Sequence, residues 1–229
     1  MTLKNNQIMS VKACIFDLDG VIVDTARYHF LAWKRLADQL NIHFTEKDNE
    51  RLKGVSRLAS LDIILEIGNM RMDHKLREEY AGLKNKWYGE YISRMTPAEL
   101  LPGSLQFVNE LKSAGIKVAI GSASRNTPMI LERVGMDKLF DAVADGNVVH
   151  KAKPDPEVFI TAAKMLNAES FHCVVFEDAV AGISAGISAG MLCIGIGSPE
   201  VLAEAHYVVS GLDKMTLKIL QKIDKKVRA

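Results

Sequence analysis

The sequence predicts an α/β fold: a Rossmann-like open parallel sheet with an inserted all-helical cap. Three observations point to it. Short apolar runs alternate with helical patterns along most of the chain, the rhythm of parallel βα units. After the first run this rhythm stops for residues 24–94, which read as helical throughout. Several of the apolar runs end in carboxylates or hydroxyls, and in open α/β sheets ligands bind at that end of the strands.

The elements follow in order. Residues 11–16 read as a short buried strand that ends at Asp17, Leu18, Asp19 and Gly20. Helical patterns occupy residues 25–40, 46–53, 58–67 and 73–93, and no strand-like run interrupts them. A helix over 104–114 precedes an apolar run at 116–120, and helices over 128–134 and 156–166 follow. Residues 173–176 form another buried run and 192–196 a further one, with a weaker run at 207–209. A basic terminal helix is expected over 217–228. The implied division is a core of 1–23 and 95–229 around a cap of 24–94.

The charge-free window 179–199 is long enough to resemble a membrane span. Its Ala-Gly pairs recur every four residues, however, and then give way to a strand-like run, so a small-residue helix lying close to a sheet explains it better. Residues 1–10 are polar and lack the apolar stretch of a signal peptide. The 229 residues are 48% hydrophobic and 25% charged, which excludes disordered and fibrous classes. A net charge of +1 leaves no global field to attract nucleic acid. Cys14, Cys173 and Cys193 are too scattered for a disulfide framework or a zinc site and read as buried thiols. A cytoplasmic monomer is expected, with no membrane or nucleic-acid partner.

Candidate chemistry gathers at the strand ends. Asp17 and Asp19 leave the first strand two residues apart, and close carboxylates repel unless a cation or a proton separates their roles. One nucleophile that also binds Mg²⁺ and one general acid/base is the chemical reading, while Asp-Gly is also a common turn pair. Glu177 and Asp178 end another run and offer hard oxygen ligands, although Asp178 could equally cap the next helix. Ser122 and Ser124 lie ahead of a helix, where hydroxyls and backbone N–H groups suit a phosphate, as they would an ordinary Ser-rich turn. Lys153 precedes a proline and could neutralise a phosphoryl group, or could be an exposed loop lysine.

The order and spacing of these four features resemble the haloacid dehalogenase-like phosphotransferase superfamily over nearly the whole chain. That resemblance implies Asp17 as the nucleophile that becomes an aspartyl phosphate and Asp19 as the general acid/base. It implies Ser122 and Lys153 as holders of the phosphoryl oxygens. Mg²⁺ would be bound by Asp17, Glu177, Asp178 and the main-chain oxygen of Asp19.

Within the superfamily the sequence is most similar to the β-phosphoglucomutase family. Residues 24–33 resemble that family's hinge and first cap helix, with Thr25, His29 and Trp33 four apart on one helix face. The resemblance implies that His29 helps to orient Asp19; Trp33 could touch ligand or simply fill the cap core. Residues 52–57 resemble the substrate loop. There Gly54 would let the backbone approach the sugar, Val55 would line it, and Arg57 would grip the phosphate farther from the reaction. Lys84 falls where the family places a further cap contact. Ser124, Arg125 and Asn126 resemble the core-side binding segment, with Arg125 at a position often held by Lys. The activity implied is conversion of β-D-glucose 1-phosphate to glucose 6-phosphate through β-D-glucose 1,6-bisphosphate, which also primes the enzyme. A sugar-phosphate phosphatase of the same superfamily shares every core motif, and a non-catalytic sugar-phosphate-binding regulator is the remaining alternative.

Overall fold

The computed structural model describes residues 10–52 and 55–228. Its centre is a six-stranded, wholly parallel sheet of order β3-β2-β1-β4-β5-β6. The chain runs through β1 (Ala13–Phe16), then helices α1 (Ala26–Gln39), α2 (Glu46–Asn49), α3 (Arg57–Ile67), α4 (His74–Ile92) and α5 (Ser104–Ser113). It continues with β2 (Lys117–Gly121), α6 (Thr127–Arg133), β3 (Ala142–Ala144), α7 (Glu157–Met165) and β4 (Cys173–Glu177). It closes with α8 (Val180–Ser188), β5 (Leu192–Ile196), β6 (Tyr207–Val209) and α9 (Leu217–Arg228).

The central strands are apolar except at their ends, because both faces are covered. Along β1, Cys14 and Phe16 enter one core and Ala13 and Ile15 the other. Phe16 stacks on Phe176 of β4 with ring centroids 4.7 Å apart, and the edge of Phe107 from α5 meets both rings. In α8, Gly182, Ile183, Ala185 and Gly186 are buried, so the small-residue stripe does lie against the sheet. All three cysteines are free and buried. Among the described residues no helix is long and apolar enough to cross a membrane.

One strand escaped the sequence reading. β3 has three residues at the sheet edge, two of them only half buried, and Asp141 and Asp145 flank it. So short a run between carboxylates carries no hydrophobic pattern, and its strand character comes from pairing with β2. The stretch expected as one helix over 46–53 is instead a four-residue helix followed by a 3-10 turn at Glu50–Leu52.

The helical insertion follows β1. Thr45 and Asp48 form a reciprocal cap for α2, and Ser56 and Asp73 side chains accept from backbone N–H groups in the first turns of α3 and α4. Its core is the packing of α1 on α4. Tyr28, Ala32, Trp33, Leu36 and Ala37 form the buried stripe of α1, and Ala81, Trp87, Tyr88 and Ile92 that of α4. The outgoing and returning chains run side by side. Val23 bridges Leu100 antiparallel, Leu101 N–H donates to the Ile22 carbonyl (2.9 Å), and Asp24 N–H donates to the Glu99 carbonyl (3.0 Å).

Candidate active site

Sheet register builds the first half of the site. β1 lies between β2 and β4, and Phe16 is level with both Ile120 and Phe176. The next residues along the three strands therefore emerge together: Asp17, Gly121 and Glu177, with Ser122 one step on. Asp17 N–H donates to the Phe176 carbonyl (2.9 Å), which fixes the start of the loop. Asp17, Ser122 and Glu177 are all buried.

Lys153, from the loop between β3 and α7, reaches this point. Its ammonium lies 2.5 Å from Asp17 Oδ1 and 2.8 Å from Glu177 Oε2. Burial works against the Lys153 charge, but the Asp17 and Glu177 carboxylates outweigh it and hold the ammonium above its ordinary range. Glu177 is held above the usual carboxylate range, first by burial, against the pull of Lys153 and with the help of Asp17 and Asp178.

Carboxylate oxygens of Asp17, Glu177 and Asp178 lie within 4.8 Å of one another. Three hard oxygen donors at that spacing fit a Mg²⁺-type cation. Two glycines make the room. Gly20 has φ +78°, and a Cβ there would lie 2.0 Å from Asp178 Oδ2. A Cβ at Gly182 would lie 2.0 Å from the Glu177 carboxyl carbon.

The Asp19 carboxylate accepts a hydrogen bond from the Thr25 hydroxyl. Burial and the Asp17 charge push Asp19 up to about 6, with Thr25, Lys153 and Lys84 acting in the opposite sense. Thr25 itself is fully buried just ahead of α1. One turn on, His29 Nδ1 lies 2.8 Å from Lys84 Nζ of α4. Lys84 is buried, with its ammonium 4.7 Å from the ring centres of both Trp33 and Tyr88. Burial and the Arg57 charge bring Lys84 down to about 7, and Asp19 partly opposes them. Burial, then Lys84 and Arg57, hold His29 well below its ordinary value.

Ser122 Oγ accepts from Ser124 N–H (3.2 Å), and Ser124 Oγ accepts from Asn126 N–H (3.2 Å). Arg125 Nε donates to the Gly146 carbonyl (3.1 Å), and Asn126 Nδ2 donates to Asn85 Oδ1 of α4 (3.4 Å). Arg57 begins α3; burial and the positive charge of Arg125 lower its pKa. Val55 is exposed beside it, whereas Trp33 is buried in the cap core beneath Lys84. Gly54 lies outside the described residues.

The structure thus gathers Asp17, Lys153, Glu177 and Asp178 into one cluster and Asp19, Thr25, His29 and Lys84 into a second, joined through Asp17 and Asp19. The charge of Arg57, from the insertion, acts on Lys84 and His29, and the charge of Arg125, from the core, acts on Arg57. Sequence reasoning missed Tyr88, whose ring lies 4.1 Å from that of His29. Its spacing of four from Lys84 on one helix was the available signal.

A family model described as a haloacid dehalogenase-like hydrolase matches residues 11–190. A beta-phosphoglucomutase of Bacillus subtilis is 45% identical over 92% of this chain and 94% of its own. A phosphorylated carbohydrates phosphatase of Thermotoga maritima is 29% identical over 93% of this chain and all of its own. Among solved structures, a beta-phosphoglucomutase from Clostridium difficile superposes with a TM-score of 0.89 at 39% identity, covering 95% of this chain and 99% of that one.

Proposed function

The chain belongs to the haloacid dehalogenase-like hydrolase family, and from that membership we propose that it is a β-phosphoglucomutase, an isomerase of sugar phosphates. It interconverts β-D-glucose 1-phosphate and glucose 6-phosphate. The observation that carries this reading is positive charge on both walls of the site. Arg57 and Arg125 act on one another across it, and neither has a carboxylate ion-pair partner among the described residues. Hydrolysis alone needs only the groups around Asp17, whereas a second cationic pair serves a second phosphate.

In this mechanism an Asp17 carboxylate oxygen attacks phosphorus, and the leaving sugar oxygen takes a proton from Asp19. Lys153 and Ser122 hold the phosphoryl oxygens in line. In the reverse step Asp19 removes the proton of a sugar hydroxyl as that oxygen takes the phosphoryl group from Asp17. The β-D-glucose 1,6-bisphosphate so formed turns round and returns its other phosphate, while Arg57 and Arg125 hold whichever phosphate is distal. Gly54, Val55, Lys84, Ser124 and Asn126 line the sugar, and Trp33 supports Lys84. His29 orients Asp19. Asp17, Glu177, Asp178 and the Asp19 main-chain oxygen would hold Mg²⁺, which supplies neutralising charge to the transferring group. Residues 24–94 act as a cap that excludes water from the aspartyl phosphate. A cytoplasmic monomer remains part of the proposal.

The test is incubation with β-D-glucose 1-phosphate, Mg²⁺ and a trace of the bisphosphate, following glucose 6-phosphate and inorganic phosphate together. Glucose 6-phosphate in large excess supports the mutase. Phosphate release in its place would make the chain a phosphatase, and neither product would leave it a binding protein.

A further inference from the structure

Tyr88 is a buried side chain whose hydroxyl completes no well-formed hydrogen bond among the described residues. A buried hydroxyl without a partner is destabilising, so its retention calls for a reason. Its surroundings supply one. The ring face packs on His29 at 4.1 Å between centroids and lies 4.7 Å from the Lys84 ammonium. The hydroxyl end lies close enough to Thr25 for the two side chains to interact as hydrogen-bond partners, and the Asp19 charge acts on it. Burial, with the Asp19 charge behind it, keeps the phenol well above its ordinary value, so it remains a neutral donor. One side chain thus touches or faces all four members of the acid/base cluster.

We propose that Tyr88 is a positioning residue for the acid/base: its O–H donates to Thr25 Oγ1, which keeps the Thr25 proton directed at the Asp19 carboxylate. Thr25 already spends its single proton on Asp19 and has lone pairs left to accept one. A chain of two hydrogen bonds running in one sense polarises both members and fixes the Thr25 rotamer. Tyr88 lies on α4 of the insertion and Asp19 in the core loop, so the contact couples closure of the insertion to placement of the proton-transferring group. This rests on Asp19 serving as the acid/base in the function proposed above.

The test is Tyr88→Phe, alone and combined with Thr25→Val. Loss of the relay lowers kcat about five- to tenfold, the worth of one hydrogen bond. KM stays within about twofold, because the loss falls on the transition state rather than on binding. In the Thr25→Val background the same substitution changes kcat by less than about twofold, since partners in one network are not additive. Independently of turnover, NMR couplings at Thr25 show one χ1 rotamer in the wild type and several in Tyr88→Phe. An undiminished kcat, an equal loss in both backgrounds, or an unchanged Thr25 rotamer would each overturn the proposal. Absence of isomerisation by the wild type would instead overturn the function. The relay would then be judged on the Thr25 rotamer alone.

Discussion

Lys84 Nζ lies 2.8 Å from His29 Nδ1, a contact between the first and last helices of the insertion. An ammonium can only donate, so while Lys84 is charged the His29 ring proton resides on Nε2, free to face the acid/base cluster. His29 is kept neutral by burial, by Lys84 and by Arg57. Removing one cation raises its pKa. In Lys84→Met, the His29 ring titration followed by NMR moves to higher pH than in the wild type. A titration that does not move would show that Lys84 has no hold on the ring.

Lys153 stands between Asp17 and Glu177. Lys153→Ala leaves two buried carboxylates facing each other, and breaking a buried pair by removing one partner costs about 3–5 kcal/mol. The melting temperature at neutral pH falls sharply, and millimolar Mg²⁺ restores part of the loss by binding only the folded chain. Calorimetry with and without Mg²⁺ checks both halves of the expectation.

Asp19 is held at about 6 by burial and by the Asp17 charge. As the base for a sugar hydroxyl it must be ionised, so kcat/KM falls as pH drops through about 6. A divalent cation beside Asp17 cancels the charge that lifts Asp19. The acid limb therefore shifts to lower pH as Mg²⁺ approaches saturation. A limb fixed at one pH across a Mg²⁺ series would contradict this coupling.

How much of this was readable in advance depended on where each contact lies along the chain. Asp17, Ser122, Glu177 and Asp178 were legible because each adjoins an apolar run, and parallel register carries neighbouring strand ends to one place. The insertion was legible because helical periodicity persists there with no strand signal. The pairing of Lys153 with both Asp17 and Glu177 was not, since it joins positions 136 and 24 residues apart. The bond between Thr25 and Asp19, and the packing of His29 on Tyr88, depend on how the insertion sits on the core loop, which no local pattern encodes. β3 escaped because three residues between two aspartates bear no period at all.

Gly20 and Gly182 border the acidic cluster closely enough to be tested by single methyl groups. Gly20→Ala adds a clash with Asp178 to the cost of a left-handed backbone, about 1–2 kcal/mol for the backbone alone. Gly182→Ala displaces the Glu177 carboxylate. Both variants lose Mg²⁺ affinity in calorimetric titration, and Gly20→Ala also melts at a lower temperature. Unaltered affinity in both would remove the three carboxylates from consideration as a metal site.

Arg57→Ala removes one of the two cations proposed to hold the distal phosphate. A charge-assisted hydrogen bond is worth about 1.5–3 kcal/mol, which corresponds to roughly a tenfold to hundredfold loss of kcat/KM for isomerisation. Phosphate release falls less, so the ratio of hydrolysis to isomerisation rises. Equal losses of both activities would place Arg57 outside the distal site.

The adjacent crossings at Val23 and Leu100 have a mechanical consequence. A body attached at one point can swivel in any direction. One attached through two strands bonded side by side is constrained to turn about a single line across them. His29, Lys84, Arg57 and Tyr88 would then travel on one arc and reach the core in a fixed order and orientation. Precision of approach becomes a property of the two crossings, one of which, at Val23, also bridges Asp19. Weakening the bond between Ile22 and Leu101 would give the swing extra freedom and blur the alignment of all four residues at once.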